Sequence, residues 1–148
     1  MPAQRTIPML SYEHPLAAAD WLVHAFGFKE TGRFGTHVNL ELNGGQVMVD
    51  RPSPDYQNPN HHAQLCEHTR KALATPFVVD GVYVLVDDID AHINRARAAG
   101  ATILTELEDN PAVGQRQYRA ADAEGHRWMF AQLTHPTQPP AVDLDNAA

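Results

Sequence analysis

The chain repeats itself. Gly27 closes one helical pattern and Gly100 closes another, and Gly45 and Gly125 stand in the last hairpin of each half. Both halves order their elements as strand, helix and three strands. A unit of this kind leaves one apolar sheet face that it cannot bury alone, so pairing two units is the expected solution. The fold class expected is α+β, with two paired β-α-β-β-β modules.

The totals agree with that size. A chain of 148 residues with a hydrophobic fraction of 43% is enough for one compact domain, or two small modules sharing a core. The net charge of -7 gives no reason to expect nucleic acid or an acidic membrane as a partner. Cys66 is the one cysteine, which excludes an internal disulfide and a cysteine-rich zinc site. Met1 to Arg5 lacks the pattern of a signal peptide, and no apolar run approaches a membrane span of ~20 residues. A cytoplasmic protein is expected.

Taken in order, Ile7 to Tyr12 reads as a strand that Pro15 stops. Leu16, Ala19, Val23 and Phe26 recur at helical spacing behind Pro15. Phe28 to Phe34 reads as a strand. His37 to Leu42 alternates, with Val38, Leu40 and Leu42 on one face and His37, Asn39 and Glu41 on the other. Asn43-Gly44-Gly45 is a hairpin turn, and Gln46 to Asp50 returns from it. The first module therefore spans 6–50. Prolines 52, 54 and 59 mark an irregular connection over 51–80, with a short helix from His61 to Leu73. The second module, 81–133, begins with a strand from Val82 to Val86. A helix capped by Asp88 follows and carries Ile89, Ile93 and Ala96 on one face. Strands over Ala101–Leu107, Gly114–Ala121 and His126–Leu133 complete it. The stretch 134–148 reads as a flexible tail. In the final hairpin, Asp122 can bond its own turn and Gly125 can take positive φ, while Trp128 and Phe130 share one strand face and Arg127 and Met129 the other. Trp21, Trp128 and Phe130 are expected to pack helices against sheets.

Several runs carry a family resemblance: Ala19 to Leu22 through Ala25-Phe26-Gly27-Phe28, Val86 to His92, Ala98 to Ala101, Gly114 to Tyr118, and Asp122 to Trp128. Together they resemble the glyoxalase/bleomycin-resistance superfamily, also called vicinal oxygen chelate, and within it the small glyoxalase-like subgroup. The likeness spans roughly residues 6 to 133. It implies half-barrel sheets with helices on the outside, each sheet cupping a ligand cavity, commonly within a homodimer. The scaffold hosts lyases, isomerases, dioxygenases, thiol transferases and antibiotic-sequestering proteins, so it does not by itself fix an activity.

Family enzymes hold one divalent metal through His, Gln or Glu side chains from the first and last strands of each module. The resemblance places those ligands at Ile7, Val49, Gly81 and Met129, none of which suits a hard divalent ion. A register shifted by one offers Gln46, His126 or Trp128 and still builds no full set. No cofactor is expected.

Other clusters invite chemistry. His61, His62, Cys66, Glu67 and His68 lie close together, and the spacing of His62 and Cys66 could make a soft-metal or thiolate site. A half-exposed surface helix accounts for the same residues and is the preferred reading. His14, His24, His92 and His135 read as helix or tail surface.

The leading expectation is a metal-independent protein that binds a small organic molecule. Met9, Ser11, Val47, Val49, Tyr83, Leu85 and Met129 would line its cavity, with polar contacts from His37, Asn39, Glu41, Arg119 and Arg127. The competing reading is a lyase or dioxygenase with an unusual metal, its ligands drawn from His37, Glu41 and His126 or from the His61–His68 cluster. A dimeric scaffold without a ligand is the third.

Overall fold

The computed structural model describes residues 6–75 and 81–134. The first half contains Met9–Ser11 (β1), Pro15–Phe26 (α1), Lys29–Phe34 (β2), His37–Leu42 (β3) and Gly45–Asp50 (β4). Its sheet has the order β1-β4-β3-β2, with β1 parallel to β4 and the other pairs antiparallel. Two short helices follow, Pro59–Leu65 (α2) and Glu67–Leu73 (α3). The second half contains Val82–Leu85 (β5), Ile89–Ala98 (α4), Thr102–Asn110 (β6), Gln115–Ala121 (β7) and Arg127–Leu133 (β8). Its sheet order, β5-β8-β7-β6, repeats the first with the same strand directions. The duplication read from the glycines is thus a duplication of topology. Both sheets are open; among the described residues neither closes into a barrel.

Local sequence explains most boundaries. Asn43 and Gly44 take positive φ of 51° and 81°, the geometry of a two-residue hairpin that matches strand twist. Asn58 caps α2 by accepting the His61 amide at 2.7 Å. The single helix expected over His61–Leu73 is instead two helices. Cys66 breaks them with an extended backbone (φ -134°), so His62 and Cys66 do not share one helical face. β6 runs on to Asn110, with register irregularities between Ile103 and Glu108 that let a long strand bend.

One core serves both halves. α1 buries Ala18, Ala19, Leu22, Ala25 and Phe26, whereas Leu16, expected on that face, is exposed. Small alanines let α1 approach closely. Phe26 then reaches the second sheet, where its ring centre lies 4.7 Å from Phe130 and 5.6 Å from Trp128. Edge-to-face geometry of this kind adds about 0.5–1.5 kcal/mol per pair beyond area burial.

Helix α4 completes the join by capping α1. The last carbonyls of a helix lack intrahelical partners. Arg95 donates to the carbonyls of His24 and Val23 at 2.7 and 3.0 Å, and its cation also suits the negative end of the helix. His92 Nε2 lies 2.8 Å from the Phe26 carbonyl and Nδ1 lies 2.6 Å from the Tyr118 hydroxyl. Since a carbonyl only accepts, Nε2 carries the proton and Nδ1 accepts from Tyr118. Burial lowers the pKa of His92, opposed by its bond to the Phe26 carbonyl. His92, expected at the surface, is therefore a half-buried linker between the halves. No helix among the described residues is long and apolar enough to cross a membrane.

Candidate functional site

Each sheet turns one face toward its helix and the other toward an open groove. In β3, Val38 and Leu40 are buried, and His37, Asn39 and Glu41 lie on the opposite, half-buried face. In β4 the expected faces are reversed. Val47 and Val49, predicted to line the cavity, are 4% and 0% exposed in the core. Gln46, Met48 and Asp50 take the groove side instead. The hairpin requires this: Leu40 pairs with Val47 and Val38 with Val49, and directly opposed residues share a face.

The two sheets repeat an apolar cross-strand pairing on this face. Met9 pairs with Met48 on β1 and β4, and Tyr83 pairs with Met129 on β5 and β8. Met9 and Tyr83 are exposed. By the equivalence of the two sheets, Met48 is the counterpart of Met129, so the four positions at which the resemblance places metal ligands become Ile7, Met48, Gly81 and Met129. Two thioethers, an alkyl group and a glycine do not fit a hard divalent ion.

The other proposed ligand sets do not converge. His37 and Glu41 stand four residues apart on one strand, roughly 13 Å along it. His126 Nε2 is engaged with the Ser11 carbonyl at 2.6 Å. His61 bonds Glu13 at 2.5 Å, and His62 contacts Thr69 at 3.4 Å. Among the described residues no three His, Cys, Asp or Glu side chains gather as a metal site.

Polar groups flank the apolar pairs on both sheets. On the first sheet, His37 Nε2 lies 2.7 Å from Asn39 Oδ1 and Nδ1 lies 3.4 Å from Asp50 Oδ2. The Thr36 hydroxyl donates to Asp50 at 2.6 Å, and this bond is the main cause of that carboxyl's lowered pKa. On the second sheet a ladder runs from Tyr83, whose hydroxyl donates to Gln115 Oε1 at 2.7 Å. Gln115 donates to Gln117 at 2.7 Å, and Gln117 to Glu108 at 2.9 Å. Arg119 faces Met129 across β7 and β8, and burial lowers its pKa against the pull of Glu108. Sequence reasoning named Arg119 but missed Gln115 and Gln117, which share its strand parity and so its face.

A second missed feature holds the groove in shape. Asp122 Oδ1 accepts the amides of Glu124, Gly125 and His126, while Oδ2 accepts the Tyr12 hydroxyl at 2.5 Å and the Trp128 indole at 3.0 Å. Glu124 accepts the amides of Glu13 and His14 and the side chain of Asn58. Both carboxylates are buried. Full satisfaction is what makes burying them tolerable. Burial and the Asp122 carboxylate push the Tyr12 phenol well above its ordinary range. Gly125 completes the joint: a side chain there would meet Asn60 Oδ1 at 2.5 Å.

Where the two sheets approach, the free edges of β1 and β5 leave a cavity of about 510 Å³. Met9, Ser11, Tyr56, Gly81, His126 and Arg127 are among the residues around it.

Comparison with known proteins fits this architecture. The sequence profile of the glyoxalase/bleomycin resistance protein/dioxygenase superfamily matches residues 8–130. An uncharacterized protein of Mycobacterium bovis is 33% identical over 135 residues, covering 84% of this chain and 80% of its own. The crystal structure of TioX from Micromonospora sp. ML1 superposes with a TM-score of 0.66 at 35% identity, over 87% of this chain and 95% of that one. A glyoxalase-related enzyme from Fulvimarina pelagi shares the fold at 21% identity and a TM-score of 0.61, over 95% and 94% of the two chains. The duplicated modules, the open groove and these matches lead to one assignment: the chain belongs to the glyoxalase/bleomycin resistance protein/dioxygenase superfamily.

Proposed function

We propose that this protein binds a small organic molecule in the groove, without the superfamily's metal, as a homodimer whose second copy covers the open side. The observation that carries the reading is the groove's make-up. Met9 pairs with Met48 and Tyr83 with Met129, which gives each sheet an apolar pair on its edge strand and the strand beside it. His37 and Asn39 on one side and Arg119 on the other supply a few polar groups, and the buried Gln115 and Gln117 brace the Tyr83 hydroxyl. An apolar bed with sparse polar contacts is the usual make-up of a small-molecule site. Methionine's flexible thioether suits it to ligands of irregular shape.

A thermal-shift screen of aromatic antibiotics and cellular metabolites tests the binding, since a ligand specific to the native state raises the melting temperature by mass action. Met48→Trp, which fills the groove, should abolish any hit while leaving the protein folded. A hit that survives this substitution would place the ligand elsewhere. Elemental analysis of untagged protein tests the metal-free reading, and one equivalent of bound transition metal would overturn it.

A further inference from the structure

Among the described residues, Arg127 meets no carboxylate. Arg33, Arg97 and Arg116 each meet carboxylates, and Arg95 caps a helix. Arg127 makes one hydrogen bond, from Nη2 to the Leu73 carbonyl at 2.6 Å. Its Nε and Nη1 are shielded from water and have no partner among the described residues. Burial lowers its pKa. A guanidinium so placed gives up hydration for one neutral acceptor among the described residues.

The cavity of about 510 Å³ has Arg127 in its wall, and none of the described residues that line it is acidic. Met9 and Val82 give it apolar surface, while Ser11 and Tyr56 add hydroxyls. The Tyr56 phenol, pushed up to about 12 chiefly by burial, stays protonated and able to donate. Gly81 leaves the space open: a side chain begun there would touch only the Arg127 carbonyl, at 3.7 Å.

We infer that this cavity takes an organic anion, a carboxylate on an apolar body, and that the Arg127 guanidinium supplies the positive charge that pairs with it. The inference rests on the proposed reading of the groove as a ligand site and adds the ligand's charge. On binding, the guanidinium turns from the enclosed position toward the cavity. It exchanges a neutral acceptor for a charged one, and hydrogen bonds between ionised partners are roughly twice as strong as neutral ones. The apolar body lies against Met9 and Val82.

The test is calorimetric titration of the full chain at pH 7 with phenylalkanoates of two to six chain carbons and with their neutral amides. At least one acid should bind about tenfold tighter than its amide. The preference should vanish in Arg127→Met, whose folding is checked by its melting transition. Gly81→Leu, which fills the cavity and leaves Arg127 in place, should abolish binding of acid and amide alike. It decides the matter if Arg127→Met does not fold. Equal affinity for acid and amide overturns the inference and leaves the small-molecule reading standing. An acid preference that persists in folded Arg127→Met, or binding unaffected by Gly81→Leu, overturns the assignment to this cavity. Failure of every acid while a neutral molecule from the thermal-shift screen binds overturns the anion alone. Failure of all ligands removes both readings.

Discussion

The Tyr12 hydroxyl donates to Asp122 Oδ2 at 2.5 Å, joining the loop after the first strand to the last hairpin of the chain across 110 positions. The same oxygen accepts from Trp128, so one carboxylate orients residues of both modules. The groove depends on this joint, because β1 and β8 contribute facing walls of the cavity.

Tyr12→Phe should therefore destabilise the protein by about 1.5–3 kcal/mol, the range for a hydrogen bond to a charged group. Urea denaturation measures it. Asp122→Ala should cost more, since five donors lose their acceptor. Equal stability of wild type and Tyr12→Phe would show that the joint is held by packing alone.

His92 predicts a pH dependence with a definite sign. Its pKa is lowered from 6.5 in the folded state, so the unfolded chain takes up the proton first. The stability it contributes is complete above pH 6.5 and drains away as pH falls from there through the depressed value. The urea midpoint should fall over that window in wild type and fall less in His92→Gln. An imidazole that titrates at or above the ordinary value by NMR would contradict the neutral tautomer assigned here.

Neighbours on β8 should respond in opposite ways. Trp128→Ala removes a side chain only 1% exposed and should cost roughly 3–5 kcal/mol. Arg127→Ala removes a charge that meets no carboxylate among the described residues and should change stability by no more than about 1 kcal/mol. Reversal of that order would mean the two strand faces had been exchanged.

Met129→Glu should fold, since Arg119 stands directly opposite on β7 to meet the new carboxylate. It should still not bind nickel or zinc stoichiometrically, because Ile7, Met48 and Gly81 offer no co-ligand. Tight one-to-one binding in calorimetry would reveal donors the groove does not show.

Light scattering at micromolar concentration should give twice the chain mass. A monomer at that concentration would leave Met9, 75% exposed, and the rest of the open groove to be covered by ligand alone.

The fold was legible because its signals are local. Alternation in His37–Leu42, the Asn43-Gly44 turn and the paired glycine stops each depend on a few adjacent residues. The register of β4 was legible too, though misread. A two-residue loop sets Leu42 opposite Gly45, which forces Val47 and Val49 onto the face of Leu40 and Val38. The joint at Asp122 could not be read in this way. Its turn chemistry was visible, but Tyr12, Asn58 and the Glu13 amide reach it only through the tertiary fold. His92 was misplaced for the same reason: its partners, Phe26 and Tyr118, belong to other elements.

The core that both modules share has a consequence for how the protein is made. Phe26 is covered by Trp128 and Phe130, and the end of α1 is capped from α4. On the ribosome, the first half must wait for these partners. At about 5–20 residues per second, the roughly 100 residues between Phe26 and Phe130 take on the order of 5–20 s to appear. Through that interval the nascent chain holds an uncovered aromatic side chain, so the period before the last hairpin emerges is when it is most exposed to misassembly and to chaperones.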